Sequence, residues 1–239
     1  MSQIPFSYQI RRSKRARKAR IVVSAAKVEV VVPLRMAEKQ VQRFIHDNRQ
    51  WVTRTQDKMA VRIQQTVRLA PKQYHHGVLI PFQGRKYPLL VTATARSRID
   101  ITWNEVFNAA LPEPFLTIDY SDVLREALIC WMQRTAALQA RKVVTRHAAR
   151  ERLMPRSIRI KELKSRWGSC GIHDDINLNW LLMLAPPEIF EYVVVHELCH
   201  LRHRNHSPDF WRLVGEHLPD YHHQRVWLRE NGASLMMGL

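Results

Sequence analysis

The stretch that most constrains this chain runs from Val193 to Leu201 and contains two histidines four residues apart, His196 and His200, with Glu197 between them. On an α-helix this spacing places both imidazoles on one face, roughly 6 Å apart, where they can share one small cation. Glu197 lies about 100° round the helix from His196, so it can reach a water on that cation without binding the cation. This His-Glu-x-x-His pattern is typical of zinc hydrolases, although it also occurs by chance in unrelated proteins.

Two histidines compete for a third ligand position, because a catalytic zinc usually has three protein ligands and one open position. If the helix continued past His200, His203 would share its face, but three ligands in one row would span roughly 10 Å and could not easily surround a tetrahedral ion. Ser207 followed by Pro208 is typical of a new helix start, so the chain turns before His206. We therefore predict three metal ligands: His196, His200 and His206. His203 is then expected at a solvated helix end.

Three motifs together resemble a known family. They are the histidine segment from His196 to Ser207 with Phe210-Trp211 after it, the segment Lys164-Ser165-Arg166-Trp167-Gly168-Ser169-Cys170, and the segment Ile176-Asn177-Leu178-Asn179-Trp180. In this order they resemble the YgjP-like metal-dependent hydrolases, which are relatives of the SprT and WLM zincins. The resemblance covers essentially the whole chain. It implies a zincin-like fold, one zinc ion on the three histidines and Glu197 as the general base, but it implies little about the substrate.

The chain of 239 residues is 46% apolar and 25% charged, which is typical of a globular protein with a substantial core. Its three cysteines imply no disulfide framework. The first residues contain no apolar secretion segment, and no apolar run approaches the roughly 18 residues of a membrane span. These observations predict a cytoplasmic location without a membrane span, and they leave the oligomeric state open.

Positive charge is concentrated in the first part of the chain. The net charge is +17; residues 1–100 contain 21 Lys and Arg against 5 Asp and Glu, whereas residues 101–239 contain 17 against 16. Seven of the ten residues from Arg11 to Arg20 are basic, and we expect them at the tip of a hairpin. Nucleic acid or nucleotides are candidate partners for this half, and a solvated basic face is the simpler alternative.

Sequence patterns predict an α+β fold. Paired strands are expected over 7–33, an amphipathic helix from about Ala37 to Arg62 with Trp51 on its apolar face, and further strands over 74–119, the last at 115–118. A long scaffold helix is expected from Ser121 to about Leu153, with Leu138 among its buried residues. We predict a strand-rich basic amino-terminal region, residues 1–112, and a zincin-like metallopeptidase domain, residues 113–239, that contains the scaffold helix and the histidine helix.

The two strands around residues 158–179 are predicted to form the substrate rim, because a strand edge beside a metal helix commonly aligns an extended peptide. Arg166 and Asn179 are the candidate substrate-binding residues on this hairpin. For Arg166, a structural ion pair with Glu162 or Asp174 is the alternative. No site for any other cofactor is predicted.

The predicted activity is hydrolysis by a zinc metallopeptidase, in which Glu197 takes a proton from a metal-bound water and delivers it to the leaving group. Three alternatives remain open. The chain could be a metal-dependent nucleotide or phosphoester hydrolase, a DNA-associated protease recruited by its basic half, or a metal-binding module without activity. The predicted substrate is a protein or peptide.

Overall fold

The computed structural model describes residues 4–24, 27–151 and 153–239, and the chain divides into two compact units, Met1–Thr66 and Val67–Leu239. The fold is α+β, with strands ahead of a long helix, as the sequence predicts. The predicted boundary at 112–113 lies inside the second unit, because strands before residue 112 pack on the long helix that follows it. As a boundary between independently folding domains, it stays a prediction.

The first unit contains a three-stranded sheet and two helices. Its elements are β1 (Tyr8–Ser13), β2 (Arg20–Val23), β3 (Val28–Pro33), α1 (Glu38–Asp47) and α2 (Arg49–Gln65). The strand order is β1-β3-β2, with β1 parallel and β2 antiparallel to β3. The predicted hairpin tip at Arg11–Arg20 is therefore wrong, since β1 and β2 pair with β3 and not with each other.

The core of the first unit consists of apolar residues from β3 and α1: Val30, Val32, Val41 and Ile45. The single predicted helix is divided at Asn48, whose side-chain amide donates to the Phe44 carbonyl at 2.8 Å and so ends α1. Trp51 is 51% exposed, so its predicted place on the apolar face is wrong.

All seven basic residues between Arg11 and Arg20 are exposed. In the sheet register, Arg11 and Arg20 flank Val31 on either side. The first unit as a whole carries 15 Lys and Arg against 4 Asp and Glu. Binding of nucleic acid to this surface stays a prediction.

The second unit begins with a four-stranded sheet of order β4-β5-β7-β6. Its strands are β4 (Leu79–Phe82), β5 (Arg85–Thr94), β6 (Asp100–Trp103) and β7 (Phe107–Pro112). The rings of Phe82 and Phe107 each lie 5.3 Å from that of Trp131 on the long helix. The strand predicted at 115–118 is wrong: Glu113–Thr117 forms a 3₁₀ helix, and Pro114 within it has no N–H to donate to a strand ladder.

The long helix α3 (Ser121–Glu151) forms the scaffold predicted from sequence. Its fully buried residues recur every four positions: Leu124, Leu128, Met132, Ala136 and Ala140. This spacing keeps one stripe of the helix against the core. Leu138 lies off the stripe and is 59% exposed, so its predicted burial is wrong.

A second three-stranded sheet and three α-helices follow α3. They are β8 (Ser157–Lys161), β9 (Gly168–Cys170), β10 (Asp175–Asn179), α4 (Pro187–Cys199), α5 (Pro208–His217) and α6 (Tyr221–Leu235). The strand order is β8-β10-β9, so β9 is an edge strand. The predicted hairpin of the strands at 158–160 and 176–179 is wrong, because β10 runs parallel to β8 and antiparallel to β9. Helix α4 begins at the predicted prolines, and nine of its 13 residues are buried.

The start of α4 is fixed by the turn between β4 and β5. The backbone N–H groups of Gln83 and Gly84 donate to the carbonyls of Met183 and Leu184, at 2.8 and 3.1 Å. Gly84 has a φ of +77°, and a Cβ there would lie 2.8 Å from the Pro186 ring. Glycine is therefore required at this position by both backbone conformation and space.

Among the described residues, no helix combines the length and the apolar character needed to cross a membrane. The predicted cytoplasmic location stays a prediction.

Candidate active site

Three imidazoles converge at the carboxyl end of α4. His196 lies in its last turn, His200 is its C-cap residue, and His206 lies just before α5, which begins with Ser207 as its N-cap. The Ser207 hydroxyl accepts from the Phe210 N–H at 3.3 Å, as the Ser-Pro pattern predicts. Because α4 ends at Cys199, the chain can turn and bring His206 back towards the other two histidines.

The three rings form a nearly equilateral triangle. Their centroids lie 4.9 Å apart for His196–His200, 4.9 Å for His196–His206 and 4.8 Å for His200–His206. One nitrogen from each ring lies within 4.8 Å of the others, and the Nε2 atoms of His196 and His206 are 3.0 Å apart. His196 and His200 are half-buried, whereas His206 is exposed, so the cluster opens to solvent on the His206 side.

Burial lowers the pKa of two of these histidines, His196 and His200, and so favours their neutral form. Desolvation, followed by the positive charge of His200, His206 and Arg225, lowers the pKa of His196 to about 3. Burial is also the main cause that lowers the pKa of His200. The Nδ1 of His200 lies 2.9 Å from the carbonyl oxygen of His203, which can only accept, so Nδ1 carries the proton and Nε2 keeps its lone pair.

Two aromatic residues of α5 hold the imidazoles in place. The buried ring of Phe210 lies 4.9, 4.5 and 4.9 Å from the rings of His196, His200 and His206. Trp211 stacks on His206 at 5.5 Å with an interplanar angle of 19°. The third histidine therefore lies just before α5, and the first turn of α5 supplies an aromatic ring that packs against all three imidazoles.

Glu197 lies beside the cluster and is 5% exposed. Burial raises the pKa of its carboxyl group to about 8, while the charge of Arg166 acts in the opposite direction. Among the described residues, none hydrogen-bonds to Glu197 Oε2 or to His196 Nδ1, although both atoms are buried. The carboxylate is packed against β9, where a Cβ added at Gly168 would lie 2.6 Å from Oε1.

Arg166 is exposed in the loop between β8 and β9, and its charge reaches Glu197. Among the described residues, Arg166 forms no ion pair with Glu162 or Asp174, which was the alternative interpretation. Asp174 pairs with Arg204, and Glu162 accepts from the Trp180 indole N–H at 3.3 Å. Arg166 is therefore available at the edge of the site, and its predicted contact with substrate stays a prediction.

Asn179 lies in the scaffold and not at the rim. It is fully buried, its amide nitrogen donates to the carbonyls of Leu163 and Arg166 at 2.8 and 3.2 Å, and its amide oxygen accepts from the Leu181 N–H at 3.2 Å. These bonds shape the loop that carries Arg166. Because no part of the side chain is accessible, the structure contradicts the prediction that Asn179 contacts substrate directly.

The donor set suits a small divalent ion. A tetrahedral zinc ion bound at 2.0–2.1 Å by three imidazoles requires nitrogens separated by about 3.3 Å, and the nitrogens here lie 3.0 Å apart for one pair and within 4.8 Å for all three. Neutral rings with free lone pairs are the form that binds metal. His203 is not part of this group; its backbone carbonyl contacts the Nδ1 of His200.

Comparison with known families agrees with this geometry. The sequence matches the YgjP-like metallopeptidase domain over residues 17–231. The chain belongs to the YgjP-like family. The match extends across both compact units and includes all three motifs that carry the resemblance. A search of curated proteins finds no significant match.

Membership of the YgjP-like family makes the chain a metallopeptidase-like, metal-dependent hydrolase, and it implies a divalent metal and a protein or peptide substrate. In this chain the three family motifs meet in space. The segment 164–170 supplies Gly168 beside Glu197, the segment 176–180 supplies the amide that shapes the Arg166 loop, and the histidine segment supplies the imidazoles.

Sequence reasoning missed three contributors to the site. Gly168 and Phe210 stand within the quoted motifs, so the motifs themselves were the available signal. Arg225 lies in none of the motifs. It is an exposed arginine on a helix that begins 15 residues after His206, so nothing in the sequence links it to the histidines. The stacking of Arg225 and Tyr221 of α6 on Trp211 of α5 brings it near the histidines.

Proposed function

We propose that this chain is a zinc-dependent metallopeptidase in which His196, His200 and His206 hold one ion and Glu197 is the general base. The observation that carries the proposal is the convergence of three imidazoles beside the buried side chain of Glu197. When bound, zinc would supply Lewis acidity and make water more acidic. The residues of the chain supply the remaining functions.

Glu197 is suited to proton transfer. A carboxylate at this place can take a proton from the attacking water and later give it to the leaving nitrogen, and Glu197 is buried directly beside the three imidazoles. Its contact with Gly168 restricts the position of the carboxylate. Arg166, at the edge of the site, would orient the substrate.

The edge strand β9 would align the peptide. It pairs with β10 on one side only, and Gly168 at its start contacts Glu197. An extended peptide that adds to this free edge would run past the histidine cluster, because backbone pairing fixes the direction and register of an added strand.

The test is turnover of a casein substrate by metal-loaded protein, with Glu197→Gln as the matched variant. The variant should bind metal in the same amount, and its turnover should fall by about two to four orders of magnitude. Normal turnover in Glu197→Gln would remove Glu197 from the mechanism. No turnover by either protein, with metal bound to both, would favour a metal-binding module.

A second candidate, a nucleotide or phosphoester hydrolase, is favoured by the exposed Arg166 beside Glu197. Release of phosphate or pyrophosphate from nucleoside triphosphates, measured beside casein cleavage, separates the two. A single ion lacks the second metal that many phosphoryl-transfer sites use, so we expect peptide cleavage to dominate.

A further inference from the structure

Arg225 of α6 packs on Trp211, and Trp211 in turn contacts the histidine cluster. Its guanidinium carbon is 4.5 Å from the centre of the Trp211 ring. Trp211 in turn stacks on His206 and lies 5.8 Å from His196. The arginine is therefore held over a side chain that directly contacts two of the three imidazoles.

The stacked position leaves the hydrogen-bonding groups of Arg225 available. A guanidinium that lies on an aromatic ring uses its face, whereas its N–H donors point outward in its own plane. Arg225 is exposed, and it forms no ion pair with any carboxylate of the described residues. Arg204 shows the contrast: it also lies near the site, but it pairs with Asp174 and donates to the Gly171 carbonyl at 2.7 Å.

We propose that Arg225 determines specificity by binding a carboxylate of the substrate, so that the enzyme prefers peptides with an acidic side chain or a terminal carboxylate next to the bond cleaved. The inference rests on the proposed metallopeptidase function. Arginine binds carboxylates through two parallel N–H···O bonds, and a cation without a partner at a binding site favours a ligand that supplies the missing charge. The competing explanation is that Arg225 only fastens α6 to α5.

A pair of metal-chelating probes that differ in one carboxylate separates these explanations. Acetohydroxamate and the monohydroxamate of succinic acid have the same chelating group, and only the second carries a carboxylate. Their dissociation constants are measured by calorimetry on the zinc-loaded full chain and on three variants: Arg225→Gln, Arg225→Lys and Arg229→Gln. Arg229 is one helical turn further along α6 and pairs with Glu230 at 3.7 Å, so it serves as the matched control.

We expect the wild type and Arg229→Gln to bind the carboxylate probe about tenfold more tightly than acetohydroxamate. Arg225→Gln should lose this preference and keep the affinity for acetohydroxamate, while Arg225→Lys should keep part of the preference. A preference that is absent from the wild type, or unchanged in Arg225→Gln, would overturn the role of Arg225 while leaving the metal site intact. Failure of both probes to bind wild-type protein would instead overturn the proposed function, and the inference with it.

Discussion

Gly168 and Glu197 lie in van der Waals contact, so that a Cβ added at Gly168 would come within 2.6 Å of Oε1 and 2.7 Å of Cγ of the glutamate. Real Cβ atoms do not approach other atoms so closely, and Glu197 is buried and has little room to move. Glu197 can therefore occupy its position only because residue 168 has no side chain.

Gly168→Ala should therefore displace Glu197 and lower kcat by about tenfold or more, because a misplaced base transfers its proton poorly. Zinc content should stay unchanged. Gly171→Ala is the matched control, since a Cβ there would meet its nearest neighbour at an ordinary 3.5 Å. Equal kinetics for the two variants would show that the contact with Gly168 does not position the base.

Buried polar groups connect three helices behind the site. The Nε2 of His147 on α3 donates to Oε1 of Glu191 on α4 at 2.7 Å, and its Nδ1 lies 3.3 Å from the Nδ1 of His217 on α5. Arg146 pairs with the same Glu191 oxygen at 2.8 Å, but its side chain is 65% exposed, compared with 7% for His147.

His147→Leu should lower the free energy of unfolding by about 1–3 kcal/mol, because it removes a buried hydrogen bond to a carboxylate. Arg146→Ala should lower it by less than about 1 kcal/mol, because solvent screens an exposed pair. Urea unfolding measures both. If Arg146→Ala proved the more damaging, the exposed ion pair and not the buried histidine would connect the helices.

The ion pair between Asp175 and Arg156 predicts a dependence of stability on pH. The hydrogen bond from Arg156, followed by that from Ser157 at 2.6 Å, holds the pKa of Asp175 well below its usual range. Since the folded pKa lies below the unfolded value of about 3.9, the contribution is fully present above that pH and is lost as the pH falls through the folded pKa.

The difference in unfolding free energy between wild type and Asp175→Asn should therefore be largest near neutral pH and should shrink as the pH is lowered below about 4. Ser157→Ala, which removes one of the bonds, should show the same trend with a smaller amplitude. Denaturant unfolding at several pH values checks this. A difference independent of pH would mean that the charge of Asp175 contributes nothing.

The basic surface of the first unit predicts salt-dependent binding to nucleic acid. Four exposed residues between β1 and β2, Lys14, Arg15, Arg17 and Lys18, form no ion pair with the described residues. Neutralising them should weaken binding to a DNA oligonucleotide and reduce the slope of log K against log salt by up to about 0.9 for each phosphate that the variant no longer neutralises.

The control neutralises four exposed basic residues of the second unit: Lys72, Arg85, Lys86 and Arg98. Equally weakened binding in both variants would indicate attraction by net charge alone.

Local patterns were sufficient to predict that His196, His200 and His206 lie close together. The prolines before α4, the serine and proline before α5 and the spacing of His196 and His200 act within a few residues, so the sequence indicates both helices and the place of His206. Partners distant in sequence were not predictable in the same way. Nothing local to the valine-rich strands decides whether β2 pairs with β1 or with β3, and the order β1-β3-β2 depends on how they cover α1.

The same reason explains the errors at individual residues. In the sequence, Asn179 resembles a polar strand residue that faces substrate, yet the loop at 163–166 folds over it and uses its amide. Arg225 resembles any other exposed cation, and only the stacking of α5 against α6 through Trp211 and Tyr221, whose rings lie 5.4 Å apart, gives it a place beside the histidines.

We propose that His206 binds one zinc ion together with His196 and His200. The zinc affinity of His206→Ala, compared with that of His203→Ala, tests this most directly. Both variants remove one imidazole from the same turn, but only the first removes a ring of the cluster. We predict one zinc per chain in the wild type and in His203→Ala, and an affinity for His206→Ala that is lower by about two orders of magnitude or more. Wild-type affinity in His206→Ala, or loss of zinc in His203→Ala alone, would contradict this assignment of the ligands.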